Sequence, residues 1–154
     1  MSENSMQWKK GRGKLGIFEP LIGSWRAEAD TPMGGVTCTR TFSRVLGGAY
    51  VQLTADWVYG KDETYQEIAL FGVGSDSQVH FWSFTSDKKQ ASGVLADGSD
   101  LHPGAVCFEA QMDAGLARQA YWPDPQDGFR WVVESKTKKG WNRFVEHHYL
   151  RWSG

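Results

Sequence analysis

Residues 24–42, SWRAEADTPMGGVTCTRTF, decide the fold. Trp25, Ala27 and Ala29 alternate with Arg26, Glu28 and Asp30, the period of two of a half-buried β-strand, whose successive side chains point to opposite faces. Pro32 and Gly34-Gly35 then supply turn chemistry, and the alternation resumes with Val36, Cys38, Arg40 and Phe42 on one parity and Thr37, Thr39 and Thr41 on the other. Two alternating runs around a Pro/Gly turn predict a hairpin. One residue is out of place in it: Arg40 lies on the apolar parity.

The same grammar continues to the C-terminus. Gly47-Gly48 opens a strand in which Ala49, Val51, Leu53, Ala55 and Trp57 share a face, and Gly60-Lys61-Asp62 turns into a strand over 64–73. Segment 78–86 carries His80, Trp82 and Phe84 on one parity, read here as the inward one, and is followed by strands over 89–96, 105–112, 116–122, 129–136 and 141–152. The polar stretch 97–104 is a loop, and the only helix expected is short, over Leu15–Ile22. About ten short strands with no crossover helix make an all-β chain. Uniform hairpin connections favour an up-and-down antiparallel β-barrel over a sandwich, because closure removes the sheet edges. A barrel of about ten strands is wider than one its side chains just fill, so an internal cavity follows from the count.

Length and composition fit one domain: 154 residues, 40% hydrophobic and 14% aromatic, with Lys+Arg 17 against Asp+Glu 18. We divide the chain into a flexible N-terminal arm over 1–14 and a single domain over 15–154. Near-neutral charge argues against nucleic acid or an anionic membrane surface as partner. Segment 1–14 lacks the apolar core of a secretory signal, and no apolar run approaches the roughly 18 residues of a membrane span. Cys38 and Cys107 are too few for a disulfide framework. A reducing, cytoplasmic setting is the expectation.

Leu21-Ile22-Gly23-Ser24-Trp25 resembles the Gly-x-Trp start of lipocalins and other calycins, and Tyr149-Leu150-Arg151 is similar to their last strand. The resemblance implies a short helix closing the barrel base and a latch in which Arg151 packs on Trp25. A closer resemblance is to a bacterial lipocalin-like domain-of-unknown-function family, through Gly23-Ser24-Trp25, Leu46-Gly47-Gly48-Ala49-Tyr50, Gly72-Val73-Gly74-Ser75-Asp76 and Glu146-His147-His148-Tyr149-Leu150-Arg151. More distantly, the chain looks like the haem-binding nitrobindin-like barrels, which would make His147 an iron ligand. It departs from their Gly-x-Trp-x-Gly-x-Gly start, having Ala27 and Ala29 at the later glycines. It also resembles fatty-acid-binding barrels, which capture a carboxylate with arginine and tyrosine; Arg40 and Tyr149 stand in that relation here.

The candidate site residues follow from parity. His147 and His148 are adjacent on a strand and point to opposite faces, so they cannot chelate one ion together. His147 and Tyr149 share the parity of Arg151. His147 reads either as a satisfied interior polar residue or as a ligand contact, and His80 reads in the same two ways. An inward Arg40 requires an internal carboxylate or an anionic ligand; a bulged strand would expose it instead. Trp57, Trp82, Phe84, Phe108 and Trp131 either fill the barrel or line an apolar slot. Gly11-Arg12-Gly13-Lys14-Leu15-Gly16 matches the dinucleotide fingerprint in letters, without the preceding strand that gives it meaning. Glu67, Glu109 and Glu134 lie on strands with no pairing assignable from sequence. No nucleophile elbow or zinc motif is present, so the chain leans away from enzyme.

The resulting expectation is a binding module for a small hydrophobic or amphipathic, fatty-acid-like molecule, with Arg40, Trp57, His80, Trp82, Phe84, Phe108, Trp131, His147 and Tyr149 at the ligand. No cofactor is expected. The alternatives are haem held by His147, with chemistry on reactive nitrogen species, and a structural barrel plugged by its tryptophans. A homodimer is left open.

Overall fold

A computed structural model describes residues 8–32, 34–61 and 63–153. It holds ten strands: β1 (Gly23–Thr31), β2 (Gly34–Val45), β3 (Tyr50–Tyr59), β4 (Glu63–Val73), β5 (Val79–Thr85), β6 (Gln90–Ala96), β7 (Val106–Met112), β8 (Gly115–Pro123), β9 (Phe129–Thr137) and β10 (Gly140–Arg151). Each pairs antiparallel with its sequence neighbours, and β1 pairs with β10 to close the barrel. The expected helix is a 3-10 segment, Lys14–Leu21, one residue earlier than its apolar pattern suggested and containing Pro20. Ala49 falls outside β3, because Leu46–Gly48 forms a 3-10 turn before the strand begins. Residues 1–7 of the expected arm lie outside the described residues; Trp8, within that arm, sets its ring edge-on to Phe129 at 6.2 Å.

The barrel has a sealed base and an open mouth. At the base, Phe18 and Leu21 of the 3-10 segment are fully buried, and Phe18 packs on Phe71 at 4.6 Å between ring centroids. Phe71 in turn meets Phe108 at 5.3 Å, so one aromatic stack ties the plug to opposite walls. Burying such rings contributes roughly 1.5–3 kcal/mol each, which makes the base the most strongly held part of the barrel. Trp25 is buried there, its Nε1–H donating to the Leu21 carbonyl at 2.8 Å, with the Arg151 guanidinium 3.9 Å above its ring. Arg151 also donates from Nη1 to the Ile22 carbonyl at 2.9 Å. The arginine-on-tryptophan latch is thus in place, and it explains Gly23: φ there is +125°, and an added Cβ would lie 2.1 Å from Arg151 Nη1.

Two seams are paired only near this base. The β6–β7 ladder consists of Val94–Glu109, Leu95–Phe108 and Ala96–Cys107, and the β1–β10 ladder of Trp25–Arg151 and Arg26–Leu150. At Gly93 the strands come so close that an added Cβ would sit 2.3 Å from the Glu109 carbonyl oxygen. Beyond it, toward the mouth, Gln90–Ser92 has no ladder partner on β7.

Loop 97–105 covers part of the outer wall. Cys107, Ala120 and Val132 face outward yet are fully buried, packed with Leu101 and Trp122. Beside them runs a chain of alternating charges. Arg118 joins Asp100 and Glu134 at 2.8 Å each, Arg143 joins Glu134 at 2.8 Å and Glu146 at 3.0 Å, and Arg130 joins Glu146 at 3.3 Å and Asp124 at 2.8 Å. Glu134, whose pairing the sequence left unassigned, is a structural member of this outer chain.

Candidate functional site

The inner wall encloses a cavity of about 1020 Å³ that opens at the mouth, between the β5–β6 and β7–β8 hairpins, opposite Trp25. Its walls are aromatic: Trp57 from β3, Tyr65 from β4, Phe81 from β5, Phe108 from β7 and Trp131 from β9. Polar side chains gather toward the mouth, among them Thr85, Lys89, Gln90 and Asp113. Glu67, Ser83 and Gln119 lie on the wall, and Gln119 Oε1 accepts from Trp131 Nε1 at 3.0 Å.

Of the residues expected at a ligand, Trp57, Trp82, Phe84, Phe108 and Trp131 line the cavity, but the inward facing expected of His80, Trp82 and Phe84 does not hold. On β5, Val79, Phe81 and Ser83 are buried inside, whereas His80, Trp82 and Phe84 face outward. His80 stacks on Trp82 at 5.7 Å and binds Asp76 at 2.8 Å, and Phe84 is 50% exposed. The physical reason is that β4 and β5 carry apolar residues on both parities, so alternation alone could not choose the face. The register chooses it: Phe81 lies opposite Phe71 and Ser83 opposite Ala69, inside.

Arg40, His147 and Tyr149 form a second group, behind the wall. Arg40 points inward and is 1% exposed, so β2 is not turned over. Its Nη1 donates to the Tyr121 hydroxyl at 3.0 Å and its Nε to the Tyr149 hydroxyl at 3.4 Å, while its Cζ lies 4.0 Å over the Trp131 ring. Burial raises Tyr121 to about 12 and Tyr149 further, against the downward pull of Arg40, so both phenols are neutral acceptors at neutral pH. Among the described residues no carboxylate lies within 4.0 Å of this guanidinium; Glu67 acts on it at longer range. Two hydroxyls and an indole face therefore stand where the sequence called for a carboxylate or an anion.

His147 is wedged between Trp57 at 5.2 Å and Trp131 at 5.4 Å, with Nδ1 3.3 Å from the Tyr149 hydroxyl. The same hydroxyl accepts from Arg40, so the imidazole and the guanidinium meet at one phenol oxygen. Burial, reinforced by Arg40, pushes His147 down to about 4, and the ring is neutral. His147, the candidate iron ligand, packs against two indoles and is not among the residues that line the cavity. Among the described residues no group of three His, Cys, Asp or Glu side chains is arranged to hold a metal ion.

Sequence reasoning missed Tyr121 and Gln119 on β8, Tyr65 on β4 and Phe81 on β5. Tyr121 carried a usable signal, since it shares the parity of Gln119 opposite Phe108 and thus had to face inward with Arg40. Glu67 faces inward, whereas Glu109 lies opposite Arg118 on the outer chain, so the strand carboxylates form no internal pair. The closed ten-strand antiparallel barrel is consistent with the calycin-like resemblance. No family model matches the sequence, and no curated protein matches it.

Proposed function

We propose that this barrel binds a small, largely apolar molecule in its cavity. The observation that carries the reading is the cavity itself: about 1020 Å³, aromatic-walled and open at the end away from the latch, a volume in the upper range of small-molecule sites. An apolar body gains from contact with Trp57, Phe81, Phe108 and Trp131, and an acyl chain is one such body. A fatty-acid carboxylate would find Arg40 only by passing Trp131, since neither Arg40 nor Tyr149 reaches the cavity surface. Binding needs no cofactor and no chemistry. Free, fully buried Cys38 and Cys107 support a reducing, cytoplasmic location, and no helix among the described residues is long and apolar enough to cross a membrane.

Native mass spectrometry of the purified protein, set against its denatured mass, tests retention of a ligand. Titration with decanol followed by tryptophan fluorescence tests capacity directly. Saturable one-to-one binding is expected, weakened at least about tenfold by Ala117→Phe, which fills the cavity from the β8 wall. Absence of saturable binding, or full affinity in a folded Ala117→Phe variant, would overturn the assignment.

A further inference from the structure

We propose that the cavity selects a ligand whose apolar body carries a cationic ammonium head, held by Glu67 within the aromatic corner of Trp57, Tyr65 and Trp131. The inference rests on the cavity-binding reading above and names the head group that reading leaves open.

The corner is fixed by register. Trp57 on β3 lies directly opposite Tyr65 on β4, and one pair further along the same face Ala55 lies opposite Glu67. Tyr65 and Glu67, two apart on one strand, project to the same side and both line the cavity. Trp57 sets its ring edge-on to Tyr65 at 6.1 Å and 73°, and to Trp131 at 6.1 Å and 87°. Trp57 thus stands across both neighbouring rings, and an aromatic corner beside a carboxylate attracts ammonium groups through the negative ring faces.

The charges point the same way. Glu67 is the acidic side chain on the inner wall, and among the described residues it has no ion pair and no side-chain hydrogen bond. The other charged groups at the cavity, Lys89 and Asp113, belong to the two mouth hairpins, and Arg118 is engaged in the outer ion-pair chain. Arg40 opposes a cation, but it sits behind Trp131 with its guanidinium committed to Tyr121 and Tyr149. Past the mouth, a carboxylate head meets Glu67, and an ammonium head meets a carboxylate with no ion pair among the described residues, on which Arg40 acts only at longer range.

Three probes with one tail separate the head group from the cavity: decyltrimethylammonium, decanol and decanoate, each titrated calorimetrically into the full-length protein below micelle-forming concentrations. The trimethylammonium probe is expected to bind about tenfold more tightly than decanol, about 1.4 kcal/mol, with decanoate the weakest. Glu67→Gln, nearly isosteric, should erase that preference, and a far-UV circular dichroism spectrum like that of the wild type shows that the variant is folded. Equal affinity for the three heads, or a trimethylammonium preference that survives Glu67→Gln, overturns the inference and leaves the cavity reading standing. Failure of all three probes to bind overturns both.

Discussion

Breaking the latch by Trp25→Ala and Arg151→Ala, separately and together, gives a measurable coupling energy if the base is held as described. Trp25 is 5% exposed, packs edge-on to Phe129 at 4.8 Å and donates to the Leu21 carbonyl. Its removal should cost about 3–5 kcal/mol, the range for a large aromatic taken from a packed core. Arg151 is solvent-exposed along part of its length, so its indole contact is discounted to about 0.5–1 kcal/mol and its bond to the Ile22 carbonyl to about 1 kcal/mol. The two losses share only the guanidinium–indole contact. The double variant should therefore be less destabilised than the sum by about 0.5–1 kcal/mol.

Urea unfolding at 25 °C, followed by far-UV circular dichroism because the fluorescent rings are themselves altered, yields the four free energies. A chain of this size has about 5–15 kcal/mol to lose, and the lower end would be exhausted by Trp25→Ala, so Trp25→Phe supplies a milder second cycle. Strict additivity in both cycles would refute the contact. Gly23→Ala offers an independent check, because it brings both an unfavourable positive φ and a collision with Arg151. Part of its cost, the collision but not the backbone strain, should disappear in the Arg151→Ala background. An undiminished cost there would show that Arg151 does not lie over Gly23.

His147 should make stability depend on pH with a definite sign. The unfolded chain takes up a proton at this position near its ordinary value of about 6.5, while the folded chain resists it down to about 4, so stability is full above 6.5 and falls as pH drops through that window. The loss is on the order of 3 kcal/mol, and a His147→Gln variant with an unfolding profile parallel to wild type between pH 7.5 and 4.5 would contradict it. Burial pushes both Cys38 and Cys107 up to about 11, and both side chains are fully buried. An aromatic disulfide reagent at pH 8 should therefore find no thiol in native protein and two in 6 M guanidinium, and rapid native labelling of either would contradict the packing.

The legibility of this protein differs from strand to strand, for physical reasons. On β1 and β2 one parity is polar and the other mostly apolar, so the inward face, including the anomalous Arg40, could be read directly. On β5 both faces carry apolar residues. At β5 the choice went to His80, Trp82 and Phe84, and the register with β4 reverses it. At β7 the outward Cys107 is buried because loop 97–105 lies over it, a tertiary contact that no periodicity encodes. The same holds for the site. An inward Arg40 could be foreseen, but the sequence calls equally for a carboxylate or an anion beside it. Only the spatial meeting of β2, β8, β9 and β10 shows two tyrosines and a tryptophan in that place.

Placing Arg40, Tyr121, Tyr149 and His147 behind Trp131 changes what the charge in the barrel can do. A guanidinium buried without a carboxylate is costly, and that cost is offset here by hydrogen bonds and an indole face that hold only if Trp131 stays where it is. Trp131 is in turn fixed from the cavity side by Gln119 and from the side by Trp57. The buried polar cluster and the cavity wall are thus one construction, in which Trp131 presents one face to Arg40 and borders the ligand space. The closure pattern matches this division. β1 pairs with β10, and β6 with β7, only toward the aromatic base, so the ordered wall is greatest where the arginine must be sealed and least where a ligand must enter. A fully laddered barrel would keep the seal but narrow the mouth, and a barrel loose throughout would let water reach Arg40.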